Sequence, residues 1–187
     1  MTAEELEALL AGAEETDRLE FKGPMSWHKH TLAKDILALA NVQDGGTIVI
    51  GIEDETLVRQ GVTVEQSDTY VADHMRDQIA EYADPEVRFS VRKPTDHNGL
   101  RYVVIQVASF ETLPVICKKD GPDVEKGSVY FRSPAAKPQS ARISNSTDMR
   151  RVVERSVAKR WAELQQIGLA AAPAGPAHDY DQELGGL

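Results

Sequence analysis

The stretch from Glu15 to Asp54 restricts the chain to one local plan: a strand, a helix, a glycine turn and a second strand in immediate succession. In Leu19-Glu-Phe-Lys22, Leu19 and Phe21 point to one face of a strand, so Glu20 and Lys22 share the other. Leu32, Ile36, Leu37, Leu39 and Ala40 then recur at helical spacing. Asp44-Gly45-Gly46 stops that helix, because glycine accepts the left-handed conformation that ends helices. Thr47-Ile-Val-Ile50 is a short apolar, β-branched run of the kind that forms a buried strand. Gly51 leaves it, and Glu53, Asp54 and Glu55 crowd its exit.

The remaining elements follow from capping and turn residues. Thr2-Ala-Glu-Glu5 is a capping-box pattern ahead of Leu6, Leu9 and Leu10, which gives a short helix ending near Gly12. Thr56 to Val62 reads as a turn and short return strand. Ser67 is expected to cap a helix running to about Ala83, with Val71, Met75, Ile79 and Tyr82 on its apolar face, and Asp84-Pro85 ends it. Residues 86–92 and 100–107 flank Asn98-Gly99 and form a hairpin, with Val87, Phe89 and Val91 inward and Arg88 and Arg92 outward. Pro114–Cys117 reads as a short strand and Gly127–Arg132 as the last one, followed by a loop over 133–144. Asn145 or Ser146 caps a final helix whose packing stripe is expected to be Met149, Val153, Val157, Trp161 and Leu164, with Arg150, Arg151, Arg155, Lys159 and Arg160 on its other face.

These elements give an α/β (α+β) fold: a mixed, mainly antiparallel sheet packed with helices, as a single domain plus a C-terminal helix. The divisions are an N-terminal helix at 1–13, the domain at 14–144, the C-terminal helix at 145–167 and a disordered Ala/Pro/Gly-rich tail at 168–187. No apolar run reaches the ~18 residues needed to span a membrane, and no secretory signal pattern opens the chain, so the expected location is cytoplasmic. Cys117, the lone cysteine, reads as a small core or edge residue.

The net charge of −9 is uneven. Residues 1–85 carry −12, residues 86–164 carry +6, and the remainder carries −3. An acidic chain does not cling to polyanions non-specifically, which argues against a simple DNA-coating role. A basic half beside an acidic pocket still accommodates a nucleic acid. There is no Gly-x-x-x-x-Gly-Lys-Ser/Thr loop for nucleotide hydrolysis and no Rossmann glycine spacing.

The acidic residues at the strand ends are the candidate for catalysis. Phosphodiester hydrolysis at neutral pH calls for an anchored divalent ion, and hard carboxylate ligands suit manganese or magnesium. Glu15, Glu20 and Asp54 supply such a set if their strands are neighbours, with Glu53 and Glu55 competing for the third place and Lys22 placed to steady a phosphate. The alternative is a surface ion pair of Glu20 with Lys22, a solvated Glu15 and a turn-forming Asp54. His28 and His30, two residues apart, suit a shared metal poorly. For nucleic-acid binding the candidates are Lys118, Lys119, Arg132, Lys137 and Arg142, around the last strand and its loops, where phosphate contacts position a backbone without reading sequence. One ring of Tyr130 and Phe131 is expected in the core and the other free to stack on a base.

An acid followed by Leu-Glu-Phe-Lys, then Ala-Leu-Ala-Asn41, Gly-Gly-Thr-Ile-Val-Ile-Gly-Ile-Glu-Asp54 and Gly127-Ser-Val-Tyr-Phe-Arg132 together resemble the AlbA-type domain of Schlafen proteins. The resemblance implies nucleic-acid binding, to RNA or DNA. In some members it implies metal-dependent cleavage of tRNA-like RNA, by an acidic trio that Glu15, Glu20 and Asp54 resemble. Three functions are therefore expected in turn: a nucleic-acid-binding module, a manganese- or magnesium-dependent endoribonuclease, and a protein-binding assembly or regulatory module that takes no nucleic acid. A homodimer is a further expectation, with the basic face of the last helix set against the acidic half of a second copy.

Overall fold

The computed structural model describes residues 1–11, 14–54, 56–133 and 138–169. Its main sheet has strands β1 (Leu19–Lys22), β2 (Gly46–Ile50), β4 (Phe89–Arg92) and β5 (Val103–Val107) in the order β1-β2-β5-β4. β1 pairs with β2 in parallel, and the other two pairings are antiparallel. The mixed, mainly antiparallel sheet of the sequence reading is therefore what forms. Two small antiparallel ribbons accompany it: β3 (Ala83–Asp84) with β6 (Ile116–Cys117), and β7 (Tyr130–Arg132) with β8 (Ser140–Arg142).

The period of two in each strand sorts side chains into two cores. Phe21, Val49 and Val104 lie in cross-strand register and meet Leu6 and Leu10 of α1 (Ala3–Leu10), together with Ile52 and Tyr102. The alternate residues Ile48, Ile50, Val103, Ile105 and Val107 face α2 (Lys29–Ala40) in the larger core. Glu20 sits in the same row as Ile48 and Ile105, so a carboxylate is directed into the layer between sheet and helix. It is 5% exposed.

Asn41, the residue after α2, locks the layers together. Its amide donates to the carbonyls of Val115 and Tyr130, both at 2.9 Å, and its Oδ1 accepts from the Val115 N–H at 2.8 Å. One fully buried side chain thus satisfies backbone groups of two distant segments.

Three local expectations need correction. The helix expected from Ser67 to Ala83 is two helices, α3 (Val64–Asp68) and α4 (Ala72–Ala80). Thr63 and Gln66 form a capping box four residues ahead of Ser67, and the break between the helices sends Tyr70 into the core, where its hydroxyl donates to the Met25 carbonyl at 3.0 Å. The loop expected over 133–144 contains β8, which pairs with β7. The third correction concerns α5 (Ser146–Gln166), capped by Asn145 as expected.

α5 packs with the opposite face from the one its apolar stripe suggests. Val152 is buried, while Met149, Val153, Val157 and Trp161 are exposed. The inward side carries polar contacts instead: Arg155 donates to the Asn41 carbonyl at 2.6 Å, Ser156 to the Thr112 carbonyl at 2.7 Å, and Lys159 to Ser109 Oγ at 3.1 Å and to the Phe110 carbonyl. Lys159 also lies over the Phe110 ring, 4.8 Å from its centroid. The surface beneath α5 includes the C-terminal end of α2, where carbonyls lack helical partners and attract cations. Burial pushes the pKa of both Arg155 and Lys159 down. Four of the five basic residues invoked for a homodimer are thus used within the chain: Arg155 and Lys159 as above, Arg151 with Asp148 at 3.3 Å and Arg160 with Glu163 at 2.7 Å. The tail expected to be disordered lies, from residue 170 onward, outside the described residues. No described helix is long and apolar enough to cross a membrane.

Candidate functional site

The parallel pairing of β1 and β2 brings the C-terminal ends of both strands to one edge, with Lys22 opposite Ile50. A tight turn over Thr16–Leu19 folds Glu15 back along β1, where its Oε1 accepts the Phe21 N–H at 3.0 Å. The result is a cleft of about 310 Å³ lined by the carboxylates of Glu15, Glu20, Asp35 and Asp54, the cations Lys22, Lys34 and Arg132, and the polar rim Gln139 and Ser140. Of the three competing acids after β2, Asp54 lines this cleft, Glu53 accepts from the Gln60 amide at 3.3 Å, and Glu55 lies outside the described residues.

Charge inside the cleft is interlocked. Glu20 accepts from Lys22 through Oε1 and from Arg132 through Oε2. Lys22 is also 3.4 Å from Asp35 on α2. Burial works against the Lys22 ammonium, yet Asp35 and then Glu20 outweigh it and hold its pKa above the ordinary value. Arg132 is 1% exposed; besides Glu20 it donates to Ser140 Oγ at 3.3 Å and to the carbonyls of Thr16 and Pro138 at 3.0 and 3.1 Å. Its Nε has no hydrogen-bond partner among the described residues. Burial pushes the Glu15 carboxyl up to about 7; the Phe21 N–H pulls the other way, and the charges of Glu20 and Asp54 add to the rise. Such a group exchanges a proton near neutral pH.

The carboxylates Glu15, Glu20 and Asp54 share a cleft. Both oxygens of Glu20 are already taken by cations, and the described residues contain no group of three or more His, Cys, Asp or Glu placed to hold a metal ion. His28 and His30 are each engaged elsewhere, with Thr31 Oγ1 at 3.0 Å and with the Tyr82 hydroxyl at 3.2 Å.

Of the basic residues expected to hold nucleic acid, Arg132 is withdrawn from the surface. Arg132 is buried against Glu20, because both faces of β7 are covered. Lys119 pairs with Glu81 at 2.8 Å and Arg142 pairs with Glu125. Lys118 is exposed, and Lys137 lies outside the described residues. Tyr130 and Phe131 are both buried, so neither ring is free to stack on a base; the Tyr130 hydroxyl accepts the Glu125 N–H at 2.8 Å. Cys117 is a core residue whose thiol is pushed up by burial.

Lys34, Asp35, Pro138, Gln139 and Ser140 are the cleft residues that sequence reasoning passed over. Asp35 carried a signal: it is an acid inside the run Leu32–Ala40, otherwise apolar apart from Lys34, and a buried acid calls for a cation. Gln139 and Ser140 carry none, since nothing in their local sequence marks β8, which Ser140 opens.

No curated protein matches the sequence. Among solved structures, the chain is similar to the N-terminal domain of a putative ATP-dependent DNA helicase RecG-related protein from Nitrosomonas europaea, with 19% identity and a TM-score of 0.51 over 78% of this chain and 97% of that one. It is also similar to the DIP2311 protein from Corynebacterium diphtheriae, with 19% identity and a TM-score of 0.48 over 74% of this chain, and it spans only 29% of that protein. Residues 15–139, which hold the main sheet and every residue of the cleft but one, match the family described as Schlafen, AlbA_2, and the chain belongs to that family.

Proposed function

We propose that this chain is a nucleic-acid-binding module that takes a phosphate backbone at the cleft beside β1. The observation that carries the reading is the convergence of Lys22, Lys34 and Arg132 with the donors Gln139 and Ser140 in one cleft of a Schlafen AlbA_2 domain. Buried Arg132 neutralises Glu20 and so keeps that carboxylate from repelling a phosphate, while Lys34, with no ion pair among the described residues, is free to meet one. Glu15 in its protonated form removes a further negative charge and presents a hydroxyl donor. Contacts of this type hold a backbone in register and read no bases.

The shared cleft of Glu15, Glu20 and Asp54 is the observation that favours the second reading, an endoribonuclease. That reading requires manganese or magnesium to find ligands that the Glu20 ion pairs now occupy. One experiment addresses both. Labelled tRNA pool, single-stranded DNA and double-stranded DNA are titrated with the protein at graded salt, with manganese or with EDTA. Binding that weakens with salt and falls about tenfold in Lys34→Ala supports the backbone-binding module. Manganese-dependent fragments that vanish in Glu15→Ala/Glu20→Ala would move the assignment to the nuclease. Absence of any binding at low salt would refute both and leave a protein-binding module.

A further inference from the structure

β4 is the outer strand of the main sheet, at the opposite edge from β1 and its cleft. Hydrogen bonds on either side of it fix which way its backbone points. The Ala108 N–H donates to the Arg88 carbonyl and the Tyr102 N–H to the Pro94 carbonyl, both at 2.9 Å. Arg88, Ser90 and Arg92 therefore turn their main-chain groups toward β5, and Phe89 and Val91 turn theirs out of the sheet. The N–H groups of Phe89 and Val91 and the Phe89 carbonyl have no partner among the described residues. The Val91 carbonyl meets only the Arg92 guanidinium, at 3.4 Å. A row of open donors and acceptors of this kind is a template for another strand.

We propose that the β4 edge takes an extended segment of a partner protein, antiparallel to β4, with acidic residues against Arg92 and Lys93 and an apolar side chain beside Phe89. Arg92 and Lys93 are exposed and have no ion pair among the described residues. The acids nearby are already engaged or lie at the other end. Glu111 pairs with Arg88, and Glu5, which shares a shallow cleft with Arg92, lies 3.5 Å from the amino terminus. Glu86 precedes the strand. The edge is therefore basic toward its C-terminal end. On the helix side, a cavity of about 460 Å³ opens beside Phe89, lined also by Ala80 of α4, by Phe110 and by the exposed Leu113.

Residues of an added strand alternate between the two faces of the sheet. The one opposite Phe89 sends its side chain to the cavity side, and those opposite Arg92 and Lys93 carry the acids. A second copy of this chain fits less well. Pairing β4 with itself about Ser90 sets Arg88 of each copy opposite Arg92 of the other, and like charges so placed are destabilising. The site does not depend on nucleic-acid binding.

The probe is the fluorescein-labelled peptide Glu-Glu-Val-Thr-Leu, with its Leu set opposite Phe89 and its acids opposite Lys93 and Arg92. Fluorescence anisotropy is measured with the full chain, with Val91→Pro and with Arg92→Glu/Lys93→Glu, circular dichroism confirming the fold of each. Proline suits position 91 because the N–H it removes faces away from β5. A second peptide, N-methylated at its Val, removes the reciprocal hydrogen bond and leaves the protein unchanged. Strand addition predicts affinity that falls about tenfold in each variant and with the methylated peptide. No binding by the full chain at ~1 mM peptide overturns the proposal. So does affinity that either variant or the N-methyl group leaves unchanged. Sedimentation showing a dimer that Val91→Pro dissolves also overturns it, since a second copy is then the occupant.

Discussion

Glu20 and Arg132 are 112 residues apart in the chain and meet as a buried ion pair beneath the cleft. Removing one member of such a pair strands the other charge away from water. Arg132→Met is expected to cost about 3–5 kcal/mol in urea denaturation, whereas Glu20→Leu/Arg132→Met recovers most of that loss. A double variant as unstable as the single one would mean that the Arg132 bonds to Thr16, Pro138 and Ser140, and not the charge pairing, set the cost.

Glu15 gives the fold a pH dependence of defined sign. Its folded pKa, about 7, lies above the ordinary 4.5, so the folded state binds the proton more tightly than the unfolded one. The favourable contribution is complete below about pH 4.5 and is lost as pH rises toward 7. Glu15→Gln keeps an oxygen for the Phe21 N–H and has no charge to lose. Its stability should match the parent's at pH 4 and exceed it by about 1 kcal/mol at pH 8, a figure reduced for the partial solvent exposure of the group. Parallel stability curves for the two proteins from pH 4 to 8 would contradict this.

Asn41 is a second point of fragility. Asn41→Ala leaves the Val115 N–H and two carbonyls buried without partners, at an expected cost of about 3 kcal/mol. Hydrogen exchange at the Val115 amide should quicken more than exchange at the Val49 amide, which is bonded within the main sheet.

Gly45 and Gly99 allow a contrast between clash and conformation. Both have positive φ, +74° and +83°. A Cβ on Gly45 would lie 2.0 Å from the Val107 carbonyl oxygen, whereas one on Gly99 meets nothing within 4 Å. Gly99→Ala is expected to cost about 1 kcal/mol, the penalty of the left-handed conformation, and Gly45→Ala about 3 kcal/mol or more. Thermal melts of the two variants distinguish the cases.

The alternation of Leu19-Glu-Phe-Lys22, the helix of Leu32–Ala40 and the Gly-Gly turn were legible because each is governed by local geometry: period two, period 3.6 and positive φ. The hairpin at Asn98-Gly99 was legible for the same reason, and there the Asp96 carboxylate completes the turn by accepting the Asn98 and Leu100 N–H groups at 2.9 and 2.8 Å. What could not be read is whatever depends on the far side of a contact. Arg132 looked like a surface base because nothing local announces that Glu20 waits above it. The α5 stripe looked like a packing face because amphipathicity reports that a helix has two faces, not which one the body prefers. The body here offers the Asn41 carbonyl at the end of α2 and the Phe110 carbonyl beside it, and Arg155 and Lys159 answer them better than valine does.

The length of chain between Glu20 and Arg132 also bears on how the protein is made. A ribosome releases Glu15, Glu20, Asp35 and Asp54 well before it releases Arg132, the partner of Glu20. Until β7 and β8 emerge, the growing polypeptide holds four carboxylates with only Lys22 and Lys34 near them, and the cleft has no roof from Pro138 to Ser140. A nascent or prematurely terminated chain therefore leaves Glu20 without its buried guanidinium partner, and the cleft is completed only after the last ribbon has closed.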